Sequence, residues 1–352
     1  MVEALLYDRL PERAVRCNIC QRRCEIPESK RGYCLTRLNR GGTLYTLIYG
    51  EVSTLMVSPI EKKPMFHFYP GSPWLSLGSL GCNFRCPGCQ NWEIAHSRVG
   101  QEYPDAQIEA QDISTGRGTE YVSPEQMVGL AEDYKCRGIS WTYNEPTLWF
   151  EYTLKGAKLA RGKGLLTNYV TNGYITPEAL DLIGPYLDSY RVDIKGFSRS
   201  AYRRIAHING FEGILEVAKR AKQRWGMHLE IVTNIIPGYN DSKPQLKRIA
   251  SWIKKELGED VPWHVTRFVP HLKLSHLEPT PVTTLEGARE IGLEQGLRYV
   301  YLGNVPGHPG ENTCCYQCKS LLIERSVFSI VENRLDNSRC PECGARIAGI
   351  FS

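Results

Sequence analysis

No stretch of this 352-residue chain approaches the roughly 20 apolar residues that a membrane-spanning helix needs. The N-terminus, beginning Met1-Val2-Glu3-Ala4-Leu5-Leu6-Tyr7-Asp8-Arg9, lacks the apolar core of a signal peptide. No low-complexity run interrupts a composition that is 42% hydrophobic and 23% charged, which suits a globular chain. Charge of one sign is also scarce. The formal net charge is +5, and nucleic-acid recognition usually demands a concentrated basic face, so RNA or DNA is not the partner this balance asks for. These absences predict a cytoplasmic protein with no membrane segment.

Cysteine, by contrast, is plentiful, with thirteen residues. In a cytosolic chain that number favours metal sites over disulfides. Eleven of them fall into three groups: Cys17, Cys20, Cys24 and Cys34; Cys82, Cys86 and Cys89; and Cys315, Cys318, Cys340 and Cys343. The middle group is C-x3-C-x2-C within Gly81-Cys82-Asn83-Phe84-Arg85-Cys86-Pro87-Gly88-Cys89. Three thiolates on one loop can hold three irons of a [4Fe–4S] cube and leave the fourth iron open, whereas electron-transfer clusters close that position with a fourth cysteine. A zinc site completed by a histidine such as His96 is the alternative, and the spacing is unusual for zinc. The last group pairs two C-x2-C knuckles and reads as a four-cysteine zinc ribbon. A rubredoxin-like iron site is its competitor. So small a ribbon has little core, and its metal should supply much of the folding energy. The first group has uneven spacing that fits zinc or an auxiliary [4Fe–4S] cluster. Arg16, Arg22, Arg23, Lys30 and Arg31 lie among its thiolates and would offset their charge.

Along the chain, a region rich in Gly, Pro, Arg and Cys occupies about residues 1–70 and reads as irregular. Strand and helix then alternate. Strands are predicted at 74–80, 139–143, 165–171, 190–194, 229–236, 263–268 and 299–302. Helices are predicted from Ser123-Pro124 to about 138 and at 146–161, 177–187, 200–225, 243–257 and 284–296. Such alternation with short links requires a parallel sheet. Seven strands with six crossovers suit an open or nearly closed barrel, whose chemistry would sit beyond the C-terminal strand ends. Asn144, Glu145, Asn172, Asp193, Lys195, Asn234 and Asn304 all lie at or just past those ends. The stretch 93–122 is long for a loop and is expected to cover the site. The expected organisation is a Cys-rich metal-binding region at 1–70, a barrel at 71–306 and the ribbon at 307–352.

The C-x3-C-x2-C loop after the first strand resembles the radical SAM superfamily, over about residues 72–305. The resemblance implies a partial (β/α)6 TIM-like barrel. It implies that S-adenosylmethionine chelates the open iron through its amino and carboxylate groups. Reductive cleavage then releases a 5′-deoxyadenosyl radical that abstracts hydrogen from a substrate. It also implies an electron donor such as ferredoxin or flavodoxin. Relatives place an acid-containing segment where this chain has Tyr143-Asn144-Glu145-Pro146. That assigns Glu145, with Asn144 beside it, to the methionyl ammonium. A carboxylate at a helix N-terminus is the plain reading of Glu145. Asn172, in Thr171-Asn172-Gly173, matches the glycyl-radical activating relatives. Asp193 could hold a ribose or amino group and Lys195 the cofactor carboxylate; a strand-end ion pair is the alternative. Pro237-Gly238-Tyr239-Asn240 resembles a segment near the adenine. Many relatives carry an aromatic residue directly before the last cluster cysteine, where this chain has Gly88. Adenine contact would then move to Phe84, Trp92 or a later loop.

Further segments narrow the resemblance. Asn18-Ile19-Cys20, Lys30-Arg31-Gly32-Tyr33-Cys34, Tyr49-Gly50, Pro59-Ile60-Glu61-Lys62-Lys63-Pro64 with His67, Gln90-Asn91-Trp92, Trp141 to Pro146, and Tyr301-Leu302-Gly303-Asn304-Val305 are similar to the radical SAM enzyme of the AmmeMemoRadiSam system, within the group like pyruvate formate-lyase activating enzymes. That implies Memo-like and AMMECR-like partners. Relatives often have Asp where this chain has Ser58. Glu61, Lys62, Lys63 and His67 either line a substrate site or form a charged turn. His264, His271, His276 and His308 receive no role. Three functions remain distinguishable: a radical enzyme acting on a small molecule or a protein side chain, including glycyl-radical activation; an RNA-modifying radical enzyme; and a metal-stabilised binding module without catalysis.

Overall fold

The computed structural model describes residues 1–97 and 118–352. Seven parallel strands carry the alternation: β1 (Pro73–Gly78), β2 (Gly138–Trp141), β3 (Leu166–Thr171), β4 (Ser189–Asp193), β5 (His228–Ile235), β6 (Trp263–Arg267) and β7 (Val300–Gly303). Each lies within two residues or so of its predicted position. The helices considered below are α1 (Pro124–Asp133), α2 (Phe150–Gly162), α3 (Pro177–Ile183), α4 (Arg199–Ala206), α5 (Glu212–Gln223), α6 (Lys243–Trp252) and α7 (Val282–Glu294). The fold is α/β with parallel strands, as expected. The chain divides into two compact units.

The first unit comprises Met1–Val57, Trp74–Arg85 and Asn91–Asp188. Here Gly138 of β2 stands opposite Trp74 of β1 on one side and Leu166 of β3 on the other. Every residue of β2 is buried, as a parallel strand covered on both faces requires. The predicted helix starts are realised chemically. Ser123 accepts from the Gln126 amide and Gln126 reaches back to the Ser123 amide, a full capping box, while Thr176 accepts from Ala179.

The N-terminal stretch is not irregular. It holds two three-stranded antiparallel sheets. One orders Val2–Glu3, Thr43–Thr46 and Arg37–Arg40, and the other orders Tyr7–Arg9, Val15–Cys17 and Glu25–Ile26. Strands of two to four residues are too short for an alternating pattern to stand out in sequence.

A buried ion pair ties one of these sheets to α2. Arg37 Nη1 lies 2.7 Å from Glu151 Oε1 and Nη2 lies 2.8 Å from Oε2, with side-chain exposures of 1% and 4%. Removing one partner leaves a buried charge unpaired, which costs about 3–5 kcal/mol, whereas replacing both by apolar groups is often close to neutral. Glu151→Ala should therefore destabilise the chain by that amount in urea titration. Arg37→Met/Glu151→Leu should regain most of the loss. Equal loss in the single and double variants would contradict the assignment.

The second unit comprises Ser58–Pro73, Cys86–Gln90 and Ser189–Ser352. Strands β4 to β7 run parallel, with Val192 opposite Ile231, Val232 opposite His264, and Val265 opposite Leu302. The stretch predicted as one helix over 200–225 is two, α4 and α5. His207 takes a left-handed conformation with φ +56° and ends α4, and the chain resumes helix at Glu212. The C-terminal residues form antiparallel strands Thr313–Cys314, Leu321–Ser326 and Ser329–Asn333. Leu322 and Ile323 of the middle strand share a buried cluster with Phe66, Tyr299 and Tyr301.

Glu230 on β5 is fully buried and organises this unit. It accepts from the Phe66 and His67 amides at 3.0 and 2.8 Å, and from the ring nitrogens of His228 and His264 at 2.9 and 2.6 Å.

Candidate metal and cofactor site

In the first unit, the loop begins just past the C-terminal end of β1. Gly81 has φ +81°, and a Cβ there would lie 2.5 Å from Thr36 Cγ2 and 3.2 Å from the Cys34 carbonyl, so the turn admits only glycine. Asn144 fastens the loop's entry. Its Oδ1 accepts from the Ser79 amide at 3.0 Å, and its Nδ2 donates to the Gly81 carbonyl at 2.9 Å. Tyr143 beside it has φ +71°, an uncommon conformation for a bulky residue, and its carbonyl accepts from Asn91 at 2.6 Å. Asn172, just past the end of β3, donates to Asn83 Oδ1 at 2.8 Å and stands 3.7 Å from Cys82 Sγ. The Phe84 amide donates to the same sulfur at 3.3 Å. N–H groups on a thiolate sulfur stabilise its charge and tune a cluster bound through it.

Glu145 is buried between these elements. Its Oε1 accepts from the Thr147 amide and hydroxyl at 3.0 and 2.5 Å and from the Thr171 hydroxyl at 2.7 Å. Its Oε2 accepts from the Asn172 amide at 2.8 Å. Burial pushes the carboxyl above its usual range, and these hydrogen bonds work against that rise. Oε2 keeps one acceptor direction beyond its Asn172 bond. The carboxylate caps the turn at Pro146–Trp149 and fixes the end of β3.

In the second unit, the Pro87 carbonyl accepts from the Lys273 amide at 2.9 Å. A Cβ on Gly88 would lie 2.9 Å from Leu274 Cδ1 and 3.1 Å from Phe268 Cε2. An aromatic side chain at 88 therefore has no room, and Phe268 and Leu274 provide the apolar surface at this point. At the end of β4, Lys195 Nζ lies 2.9 Å from Asp193 Oδ2, and Arg191 Nη1 lies 2.6 Å from Asp193 Oδ1. Burial alone would lower the Lys195 pKa. The charges of Asp193 and Cys86 outweigh it and hold the ammonium protonated. Lys195 thus sits within electrostatic reach of one of the three loop thiols. Asn240 Nδ2 ties the Lys195 carbonyl to the Asn234 carbonyl at 2.9 and 2.8 Å. Asn234 Oδ1, near the end of β5, is buried with no hydrogen-bond partner, an acceptor left for a ligand.

The C-terminal quartet is brought together. Cys315 and Cys343 sulfurs are 3.6 Å apart, as are those of Cys318 and Cys340, and all four lie within 4.8 Å of one another. Metal–sulfur bonds of about 2.3 Å in a tetrahedron put sulfurs about 3.8 Å apart, so these residues fit a mononuclear metal. A hydrogen bond from Ser320 helps bring the Cys340 thiol down to about 6. Cys17, Cys20, Cys24 and Cys34 line one cavity in the first unit. Burial pushes the Cys17 thiol up to about 11.

The segment before β1 does not line an open site. Glu61 is 1% exposed and its Oε1 accepts from the Gly71 amide at 2.8 Å. Lys63 is 3% exposed and donates to Ser58 Oγ at 2.7 Å. His67 is wholly buried, with its ring nitrogens 2.5 Å from the Ala348 carbonyl and 2.5 Å from the Tyr301 hydroxyl. Of the four residues expected either to line a substrate site or to form a charged turn, Lys62 alone is exposed. Most of the stretch 93–122 expected to cover the site lies outside the described residues. Asn83, Arg191 and Glu230 escaped sequence reading. Lone polar residues within apolar or loop segments carry no periodic signal, although the position of Asn83 inside the cysteine loop could have flagged it.

A profile of the Radical SAM superfamily matches residues 77–250, from the end of β1 through the cysteine loop and into α6. The chain thus carries a Radical SAM superfamily domain over these residues, which implies a [4Fe–4S] cluster and S-adenosylmethionine. The chain is 42% identical over 349 residues to the uncharacterized protein MJ0808 of Methanocaldococcus jannaschii, covering 99% of each, and belongs to the same family. Among solved structures it is similar to a radical SAM methyltransferase from Sphaerobacter thermophilus, at 14% identity, 67% coverage of both chains and a TM-score of 0.48. It is also similar to a domain of pyruvate-formate lyase-activating enzyme from Bacteroides vulgatus, at 16% identity over 47% of this chain and 99% of that one, with a TM-score of 0.41. No helix among the described residues is long and apolar enough to cross a membrane.

Proposed function

We propose that this radical SAM enzyme holds its [4Fe–4S] cluster on Cys82, Cys86 and Cys89 and abstracts hydrogen from a small molecule or a protein side chain, with glycyl-radical activation as the protein form. Bound together, cluster and S-adenosylmethionine supply a one-electron cleavage that generates a hydrogen-abstracting radical. The observation that carries the reading is the three-thiol loop at the C-terminal end of β1, with an amide and the Asn172 side chain directed at the Cys82 sulfur.

The chain's own residues have separate tasks. Asn144 holds the loop entry. Glu145 keeps Asn172 in place and offers the free direction on Oε2 to the methionyl ammonium. Lys195, kept charged beside Asp193, meets the cofactor carboxylate, and Asp193 shares its remaining acceptor capacity with a ribose or amino group. Asn234 Oδ1 accepts from a further cofactor or substrate donor. Phe268 and Leu274 take the place of the missing aromatic at 88. Zinc in the C-terminal quartet braces the second unit. A low-potential ferredoxin or flavodoxin supplies the electron, and partners of the Memo-like and AMMECR-like kinds belong to the AmmeMemoRadiSam assignment.

The test is anaerobic reconstitution of the full chain with iron and sulfide, followed by dithionite and S-adenosylmethionine. 5′-Deoxyadenosine should form well above the level given by cofactor and reductant alone. Reconstituted protein with a filled cluster that forms none would overturn the reading.

A further inference from the structure

The two cysteine quartets differ in a way their sequence spacing does not reveal. In the C-terminal one, paired sulfurs stand 3.6 Å apart, the separation of a single tetrahedral metal. Among the described residues, that quartet is the group of three or more potential ligands whose ligand atoms all lie within 4.8 Å of one another. Cys17, Cys20, Cys24 and Cys34 do not close up in this way. They stand instead around a cavity that is also lined by Ile19, Ile26 and Leu148. Sulfurs that do not all come within 4.8 Å are spread wider than the roughly 3.8 Å of one tetrahedral zinc, whereas a cubane, with iron at four corners, holds its thiolates about 6 Å apart.

Two further features of the wall point to an occupant rich in sulfur. Arg37 and Asn83 both line the cavity. Arg37 Nε and Asn83 Nδ2 are buried N–H donors with no hydrogen-bond partner. Unpaired buried donors are costly, and their presence calls for an acceptor. The sulfides and thiolates of an iron–sulfur cluster accept weak hydrogen bonds of this kind and carry net negative charge. Arg22, whose guanidinium stacks 3.5 Å over the Tyr33 ring and donates to the Asn83 carbonyl at 2.7 Å, adds positive charge to the same wall.

We propose that Cys17, Cys20, Cys24 and Cys34 bind a second [4Fe–4S] cluster, fully ligated by protein, rather than zinc. It is a site separate from the three-thiol loop, and it does not depend on the activity proposed for that loop. Its wall nevertheless includes Asn83, the residue after Cys82.

The experiment uses the full chain, purified anaerobically and reconstituted, with metal and sulfide analysis and Mössbauer spectroscopy. A Cys82→Ala/Cys86→Ala/Cys89→Ala variant leaves all four N-terminal thiols in place. The expected result is about eight irons and eight sulfides per wild-type chain, falling to about four of each in the variant, with the [4Fe–4S] spectrum retained. Cys20→Ala/Cys34→Ala on the otherwise native chain should lose about four irons and keep the loop cluster. Wild-type protein with about four irons and two zincs per chain, or a triple variant that is folded but iron-free, would overturn the proposal.

Discussion

Cys82→Ala should reduce 5′-deoxyadenosine formation by at least about a thousandfold, to the level of cofactor and reductant alone. The loop provides three sulfurs for three irons. With one gone, the cubane is held by two thiolates and two irons are open, so the cluster is lost or rearranged. Cys82 is the informative choice because its sulfur meets one N–H from its own loop and one from past the end of β3. The Phe84 amide lies 3.3 Å away, and Asn172 Nδ2, past the end of β3, lies 3.7 Å away. Asn172→Leu provides the graded comparison. It removes the side-chain donor to Cys82 and Asn83 but leaves all three thiols. It should retain the cluster, shift its reduction potential downward and lower the rate by about tenfold to a hundredfold. Cys82→Ala protein that keeps cleavage within tenfold of wild type would mean that the reacting centre lies elsewhere.

The parts of this centre that were legible in the sequence share one property, local spacing. Cys82, Cys86 and Cys89 are seven residues apart end to end, and the four C-terminal cysteines come as two C-x2-C pairs, so their grouping needs no knowledge of the fold. The seven parallel strands were legible because buried apolar runs bounded by helix caps such as Ser123-Pro124 and Thr176-Pro177 have few other readings. What stayed hidden depends on partners far away in sequence. Arg37 reads as one more basic residue in a basic N-terminus until Glu151 is seen to face it. His67 reads as either a site residue or part of a charged turn, and its ring is spent on Ala348 and Tyr301, 281 and 234 positions away. The choice between one metal ion and a cube in the N-terminal quartet turns on sulfur separations that C-x2-C-x3-C-x9-C leaves open.

Glu230→Ala should cost the protein at least about 4 kcal/mol, because one buried carboxylate serves four donors and each buried donor left without an acceptor costs about 1–3 kcal/mol. Two of those donors are the Phe66 and His67 amides, which carry the segment ahead of β1. The other two are the His228 and His264 rings. Burial alone would raise the Glu230 pKa, but the hydrogen bonds from both histidines bring it well below the usual carboxylate range. The same interior sets a pH dependence. Burial lowers the His67 pKa from 6.5 to about 4, so the folded chain keeps that imidazole neutral while the unfolded chain protonates it. The native state then binds fewer protons, and stability is complete above pH 6.5 and lost as pH falls toward 4. Over that window the loss from His67 is about 3 kcal/mol. Glu230 acts in the same direction below the ordinary glutamate value of 4.5. His67→Gln keeps a donor and an acceptor near the Ala348 carbonyl and the Tyr301 hydroxyl but cannot titrate. Urea titrations at pH 7.5, 6, 5 and 4.5 should therefore show a steep acid loss in the wild type and a flatter one in His67→Gln. Glu230→Ala should be weak at every pH. Parallel curves for wild type and His67→Gln would show that the acid sensitivity arises from other groups.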